Sequence, residues 1–184
     1  MILSIDIGIK NLSYCIIDYK KKIRAWAIID LTTGLKIKKN ITKMFESIPK
    51  VLDTYNFNQY DIDTVLLENQ PCMRCPTMKS IQMIVYTYFI ITGLNNDESK
   101  IESIIFRNAK CKLNIKDIPF VKCKLKSKYA QNKFKAVEYT KHLLKDDQQH
   151  LEYFNTFKKK DDLADAYLQA ISYIQNDVDE EVDI

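Results

Sequence analysis

The sequence predicts an α/β fold: a mixed five-stranded sheet, three antiparallel strands followed by parallel ones, with helices on both faces. Three observations carry this. Apolar, strand-like segments crowd the opening of the chain and are separated only by short turns. Further on, strand-like segments alternate with long stretches of helical periodicity. Residues 64–68, TVLLE, are apolar without alternation, the pattern of a strand covered on both faces.

Each element follows from local chemistry. Residues 1–7 form the first strand and 12–18 (LSYCIID) the second, with Gly8 to Asn11 between them. Lys20-Lys21-Lys22 turns the chain into a third strand, IRAWAIIDL, which Gly34 closes. Short connections of this kind join antiparallel neighbours. A helical pattern then runs through Ile41, Met44, Phe45, Ile48, Val51, Leu52 and Tyr55, with Pro49 as an expected kink. The fourth strand, 64–68, ends at Asn69-Gln70-Pro71. The next helix, from about Thr77 to Ile91, is apolar nearly all round, so it is expected in the core or at a subunit contact. IESIIF (101–106) is the fifth strand and 107–128 an irregular basic stretch. Helices are expected from Tyr129 to Lys145 and from Asp161 to Ile174. The order βββαβαβαα is that of the ribonuclease H-like fold. Residues 1–176 are expected to form one domain, followed by an acidic tail, 177–184.

Composition narrows the function classes. A chain of 184 residues with 46% hydrophobic and 28% charged residues suits one soluble globular domain. Nothing resembles a secretory signal, and no apolar run is long enough to span a bilayer, so an intracellular protein without a membrane partner is expected. The net charge of +4 conceals a strong local bias. Arg107, Lys110, Lys112, Lys116, Lys122, Lys124, Lys126, Lys128, Lys133 and Lys135 are opposed only by Asp117 across that span. Such density suits a polyanion, since lysines near phosphates release counterions; a solvated lysine-rich surface is the plainer alternative. The five cysteines are scattered. Cys72 and Cys75 have the spacing of half a zinc site, but Cys111 and Cys123 lie too far apart for a second tight pair, and ordinary buried or partly buried thiols are expected.

The chemistry is carried by carboxylates. Asp6 interrupts the apolar strand MILSIDIGIKN, where burying its charge costs several kcal/mol unless something compensates it. Glu68 ends an apolar parallel strand, where α/β folds place their ligand sites. Asp162 and Asp165 share one face of a helix's first turn. Each alone has a plainer reading: a satisfied aspartate before a turn, a solvent-facing strand end, an acidic helix N-terminus. Together they can face one cleft if the first and fourth strands are neighbours. Four carboxylates so close repel unless cations intervene, and oxygen donors suit Mg²⁺ or Mn²⁺. Two such ions about 4 Å apart clamp the attacking and leaving oxygens of a phosphodiester displacement.

SIDIGIKN, VLLENQP and KKKDDLADAYLQA, in that order, resemble the signature segments of the poxvirus-type Holliday junction resolvases, relatives of the RuvC-like resolvases in the ribonuclease H-like superfamily. The resemblance spans residues 3 to about 173. It implies an acidic tetrad of Asp6, Glu68, Asp162 and Asp165 binding two Mg²⁺ ions, with Mn²⁺ as a substitute. It further implies a C₂ homodimer cutting branched DNA by paired symmetric nicks in viral replication and recombination, in the virion or at a cytoplasmic replication site. A catalytic lysine of the family follows the fifth strand, and Lys110 in FRNAKCKL is its expected counterpart, with Lys133 and Lys135 second. DNA contacts are expected from Lys110, Lys112, Lys126, Lys128, Lys133 and Lys135. The segment between Lys110 and Tyr129, CMRCP and the acidic tail depart from the family pattern.

Three rivals remain open on the sequence. An actin-like ATP-binding domain also opens with D-x-G, but needs more glycine turns than Gly8, Gly34 and Gly93 supply, so no nucleotide cofactor is expected. An inert DNA-binding module would have to explain four intact acidic positions. A ribonuclease H-like nuclease acting on an RNA–DNA hybrid shares the same metal chemistry.

Overall fold

The computed structural model describes residues 1–33, 41–73 and 75–178. Five strands, β1 (Ile2–Asp6), β2 (Leu12–Ile17), β3 (Ile23–Ile29), β4 (Thr64–Glu68) and β5 (Ser103–Arg107), form one sheet in the order β3-β2-β1-β4-β5. The first three pair antiparallel, while β4 lies parallel to β1 and β5 parallel to β4. This is the expected mixed sheet of the ribonuclease H-like fold. Gly34, expected to close β3, lies outside the described residues.

Among the described residues five α-helices cover the sheet: α1 (Ile41–Asp53), α2 (Pro76–Phe89), α3 (Lys128–Leu143), α4 (Gln148–Thr156) and α5 (Lys160–Tyr173). Strand alternation divides the core in two. Leu3 and Ile5 of β1, with Val65 and Leu67 of β4, face α1 and α2, where Met44, Ile48, Ile81, Val85 and Phe89 complete one cluster. Ile2 and Leu66 face the other way and pack with Trp26, Phe154, Leu163, Tyr167 and Ile171 of β3, α4 and α5. The same alternation sends Ser4 and Asp6, and Glu68 two residues beyond Leu66, towards α5. A single register choice therefore sets both the core and the site.

Three sequence expectations change. Helix α4 was not foreseen: Phe154 alone of its residues is buried, so its apolar periodicity is thin. The basic stretch after β5 is not irregular throughout, because Asn108 caps a 3₁₀ turn at Ala109–Leu113, its Oδ1 accepting from the Lys110 amide at 3.0 Å. Cys72 and Cys75 are exposed rather than buried, since both sit in the loop that leaves β4 for α2. Among the described residues no group of three or more His, Cys, Asp or Glu is arranged to hold a metal. Asp177, at the start of the expected tail, is gripped by Arg107 through two hydrogen bonds of 2.9 and 2.8 Å.

Candidate active site

The site is assembled by the ends of β1 and β4, the first turn of α5 and the 3₁₀ turn after β5. Asp6 closes β1 opposite Ser13 of β2 and is 8% exposed. Gly8 lets the chain double back immediately: a Cβ there would lie 2.5 Å from the Asn11 carbonyl oxygen, inside any permissible contact. Glu68 ends β4 beside it. Its Oε2 accepts from Gln70 Nε2 at 2.6 Å, and the Gln70 amide donates in turn to the buried Oε1 of Gln82 on α2 at 2.8 Å. Two glutamines thus hold the loop after β4 and orient the Glu68 carboxylate.

Helix α5 brings the remaining two acids. Its first turn is pinned to the sheet by side chains that donate to its carbonyls. Ser13 Oγ reaches the Asp162 oxygen at 2.5 Å, and Trp26 Nε1 reaches that of Leu163 at 3.0 Å. Trp26 is itself stacked on Phe154, centroids 5.3 Å apart, so the helix, β3 and α4 form one unit. One turn beyond Asp165, buried Gln169 donates from Nε2 to Ser4 Oγ at 3.0 Å, locking α5 over β1. The face that carries Asp162, Asp165 and Gln169 therefore lies above Ser4 and Asp6.

At the centre is Lys112. Its Nζ lies 2.7 Å from Asp6 Oδ1, 3.1 Å from Glu68 Oε1 and 3.3 Å from Asp165 Oδ2. Burial works against the ammonium charge, but Asp6, Asp165 and Glu68 together outweigh it and hold Lys112 above the usual lysine value. The carboxylates move the other way. Burial and the adjacent Asp6 push Glu68 up to about 8, against the pull of Lys112. Burial raises Asp165 to about 6, with Lys112 opposing and Asp6 assisting. Asp162 is raised by burial and by the neighbouring Asp161, and its Oδ2 is buried without a hydrogen-bond partner.

The structure thus brings Asp6, Glu68 and Asp165 onto one point and sets Asp162 beside them, as the sequence pattern required. Lys110, the expected catalytic lysine, is exposed and is not among these contacts; Lys112, two residues on, is the lysine that reaches the carboxylates. Within the 3₁₀ turn Lys112 is the buried residue, and half-buried Leu113 and Ile115 pack against the core cluster that α5 builds. Lys133 is ion-paired to Asp161 and lies 5.0 Å over the Tyr129 ring, next to the site but not in it. Lys126 and Lys128 are exposed and Lys135 half-buried. Gln82, Gln169, Ser13 and Trp26 carry no motif and were not foreseen as supports of the site.

The donor set fits a hard divalent cation. All four acidic side chains offer oxygen, and Asp162 Oδ2 has a lone pair facing no donor. The carboxylates converge here on an ammonium rather than at mutual metal-ligand distances, consistent with the lack of a ready metal cluster among the described residues.

Known proteins share this fold. The family model for the poxvirus A22 protein matches residues 1–177. An uncharacterized protein of Acanthamoeba polyphaga mimivirus is 31% identical over 181 residues, covering 88% of this chain; the chain spans about two fifths of that relative's length, 42%. Among solved structures, the yeast mitochondrial Holliday junction resolvase Ydc2 superposes with a TM-score of 0.62 at 20% identity, covering 95% of this chain and 78% of the other. Fowlpox virus resolvase, solved with its substrate Holliday junction DNA, gives 0.59 at 22% identity over 95% and 96%. Thermus thermophilus RuvC in complex with a Holliday junction substrate gives 0.53 at 12% identity over 94% and 90%. These structural likenesses establish the fold. The match over residues 1–177 establishes the lineage: the chain belongs to the poxvirus A22 family, a family of resolvases.

Proposed function

We propose that this chain is a structure-selective endonuclease that resolves four-way DNA junctions, and other branched DNA, by paired symmetric nicks during viral DNA replication and recombination. The observation that carries this is the convergence of Asp6, Glu68 and Asp165, with Asp162 alongside, at the carboxyl ends of β1 and β4 in a member of this family. In this reading the four carboxylates hold two Mg²⁺ ions, Mn²⁺ being able to substitute. When bound, such ions supply a water nucleophile at neutral pH and charge compensation for the departing oxygen. Asp6 and Glu68, fixed by strand register and by Gln70, and Asp162 and Asp165, fixed by Ser13 and Gln169, hold the site's geometry. The exposed lysines Lys126 and Lys128 meet the DNA backbone, where charge rather than base identity decides affinity.

Homodimerisation accounts for pairing of the nicks, since a four-way junction has approximate two-fold symmetry. Support comes from an open apolar groove of about 450 Å³ between α1 and α2, lined by Pro49, Met83, Ile84, Tyr88 and Ile91. Met83 is 40% and Ile91 64% exposed there. No helix among the described residues is long and apolar enough to cross a membrane, and the reading places the protein's work on viral DNA inside the cell.

The test is incubation with a synthetic immobile four-way junction, with and without Mg²⁺, beside linear duplex and RNA–DNA hybrid controls. Paired nicks confined to the branched substrate and dependent on metal are expected. Preferential cleavage of the hybrid, or cleavage indifferent to metal, overturns the assignment.

A further inference from the structure

Lys112 raises a question that the assigned site leaves open. Its ammonium stands within 3.3 Å of one oxygen each from Asp6, Glu68 and Asp165, and its side chain is only 5% exposed. A divalent ion shared by those carboxylates would need the same oxygens. Two cations at salt-bridge distance from one set of oxygens also lie within a few ångströms of each other and repel. One of them has to leave.

We infer that Lys112 is the counter-charge held by the carboxylates when no divalent ion is bound, and that metal loading expels its ammonium from the cage to a phosphate of bound DNA, coupling metal and DNA affinity. The inference rests on the metal-nuclease reading above. Three features favour exchange over a permanent ion pair. The acids need a buried cation in the absence of metal, because three carboxylates gathered without one are strongly disfavoured. Among the described residues no other lysine is placed to serve: Lys133 is committed to Asp161, and Lys110 is exposed. The backbone can stay still while the ammonium moves, since Lys112 rides on a turn capped by Asn108 and anchored by Leu113 and Ile115, and the swing is confined to a four-carbon stem.

An expelled ammonium gives up three carboxylates and needs another anion. The substrate's phosphate backbone is the anion this site faces during its reaction. DNA therefore lowers the cost of metal loading, and by linkage metal tightens DNA to the same degree. Without DNA, metal must displace a tethered competitor and binds weakly. The lysine is thus a device that favours a charged site only where substrate is present.

The test measures Mn²⁺ affinity by electron paramagnetic resonance of the free ion, for the wild-type chain and Lys112→Met. Each is measured alone and with an immobile four-way junction carrying uncleavable linkages at its crossover. Lys112→Met is expected to bind Mn²⁺ at least about tenfold more tightly without DNA, because the competitor is gone. The junction is expected to tighten Mn²⁺ binding about tenfold for the wild type and markedly less for the variant. Because removal of the central cation can compromise folding, a second measurement uses the wild type alone. The ¹⁵N-ammonium resonance of Lys112, protected by burial, should shift or vanish as Mg²⁺ is added. Equal Mn²⁺ affinities of the two folded proteins, or a lysine resonance unchanged at saturating Mg²⁺, overturns the exchange while leaving the nuclease assignment intact. Failure of either protein to bind Mn²⁺ with or without the junction overturns both.

Discussion

Glu68→Gln should make the protein more stable near neutral pH while removing a metal ligand. Folding raises the Glu68 carboxyl from its ordinary 4.5 to about 8, chiefly through burial and the neighbouring Asp6. A carboxyl raised in this way favours the folded state fully below its unfolded value. That contribution is lost as pH rises through the folded value. Each tenfold difference in proton affinity is worth about 1.4 kcal/mol, so between about pH 4 and pH 7 Glu68 withdraws up to roughly 3 kcal/mol of stability. Asp165, raised to about 6, acts in the same direction. Glutamine mimics the protonated acid and removes the Glu68 share. Against this stands the lost attraction to Lys112 at 3.1 Å, although that ammonium keeps Asp6 and Asp165. A net gain of about 1–2 kcal/mol at pH 7.5 is expected, or roughly 3–6 °C in Tm for a domain of this size. Urea unfolding in chelator across pH 5–9 measures it. The wild type should lose stability across that window and the variant should lose less. A variant that is destabilised at pH 7.5, or that keeps the wild-type slope, would falsify the account of Glu68 as a strained, buried acid.

Other perturbations probe the remaining parts. Asp6→Asn should abolish junction cleavage and leave junction binding, measured by gel shift, within a few fold; lost binding in a folded variant contradicts a metal-ligand role. Trp26→Phe removes the donor to the Leu163 carbonyl and part of the stack on Phe154, and should cost about 1–3 kcal/mol in urea unfolding; an unchanged midpoint would show that Trp26 does not hold α5. Lys126→Ala with Lys128→Ala should lower the slope of log affinity against log salt by about one per residue for junction and duplex alike. A change confined to one sequence would mean that they read bases. Ile91→Glu, at an exposed apolar position on the α1/α2 groove, should convert a dimer to a folded monomer in sedimentation velocity; a persistent dimer moves the interface elsewhere.

Much of this protein was legible from one dimension. Strand alternation and the continuous apolarity of TVLLE predicted the strands of the mixed sheet; the parallel pairing of β1 and β4 that puts Asp6 beside Glu68 was only a condition, and the fold meets it. The i, i+3 spacing of Asp162 and Asp165 on a helix predicted a shared face. Such patterns survive in sequence because strand and helix periods are local properties of the backbone. Helix α4 escaped because one buried residue makes no period.

The lysine could not be read in the same way. Lys110 and Lys112 are the same residue type two positions apart, and both follow β5 at a compatible distance. Only the packing of Leu113 and Ile115 under α5 decides which of them turns inward. Gln82, Gln169 and Ser13 are likewise ordinary polar residues until helix and sheet are brought together. The sequence by itself determined most of the strands and helices and put Asp162 and Asp165 on one helix face, because those follow from spacing along the chain. The tertiary structure alone decided which cation balances them and which side chains hold them still, because burial and contact between distant segments belong to no local stretch.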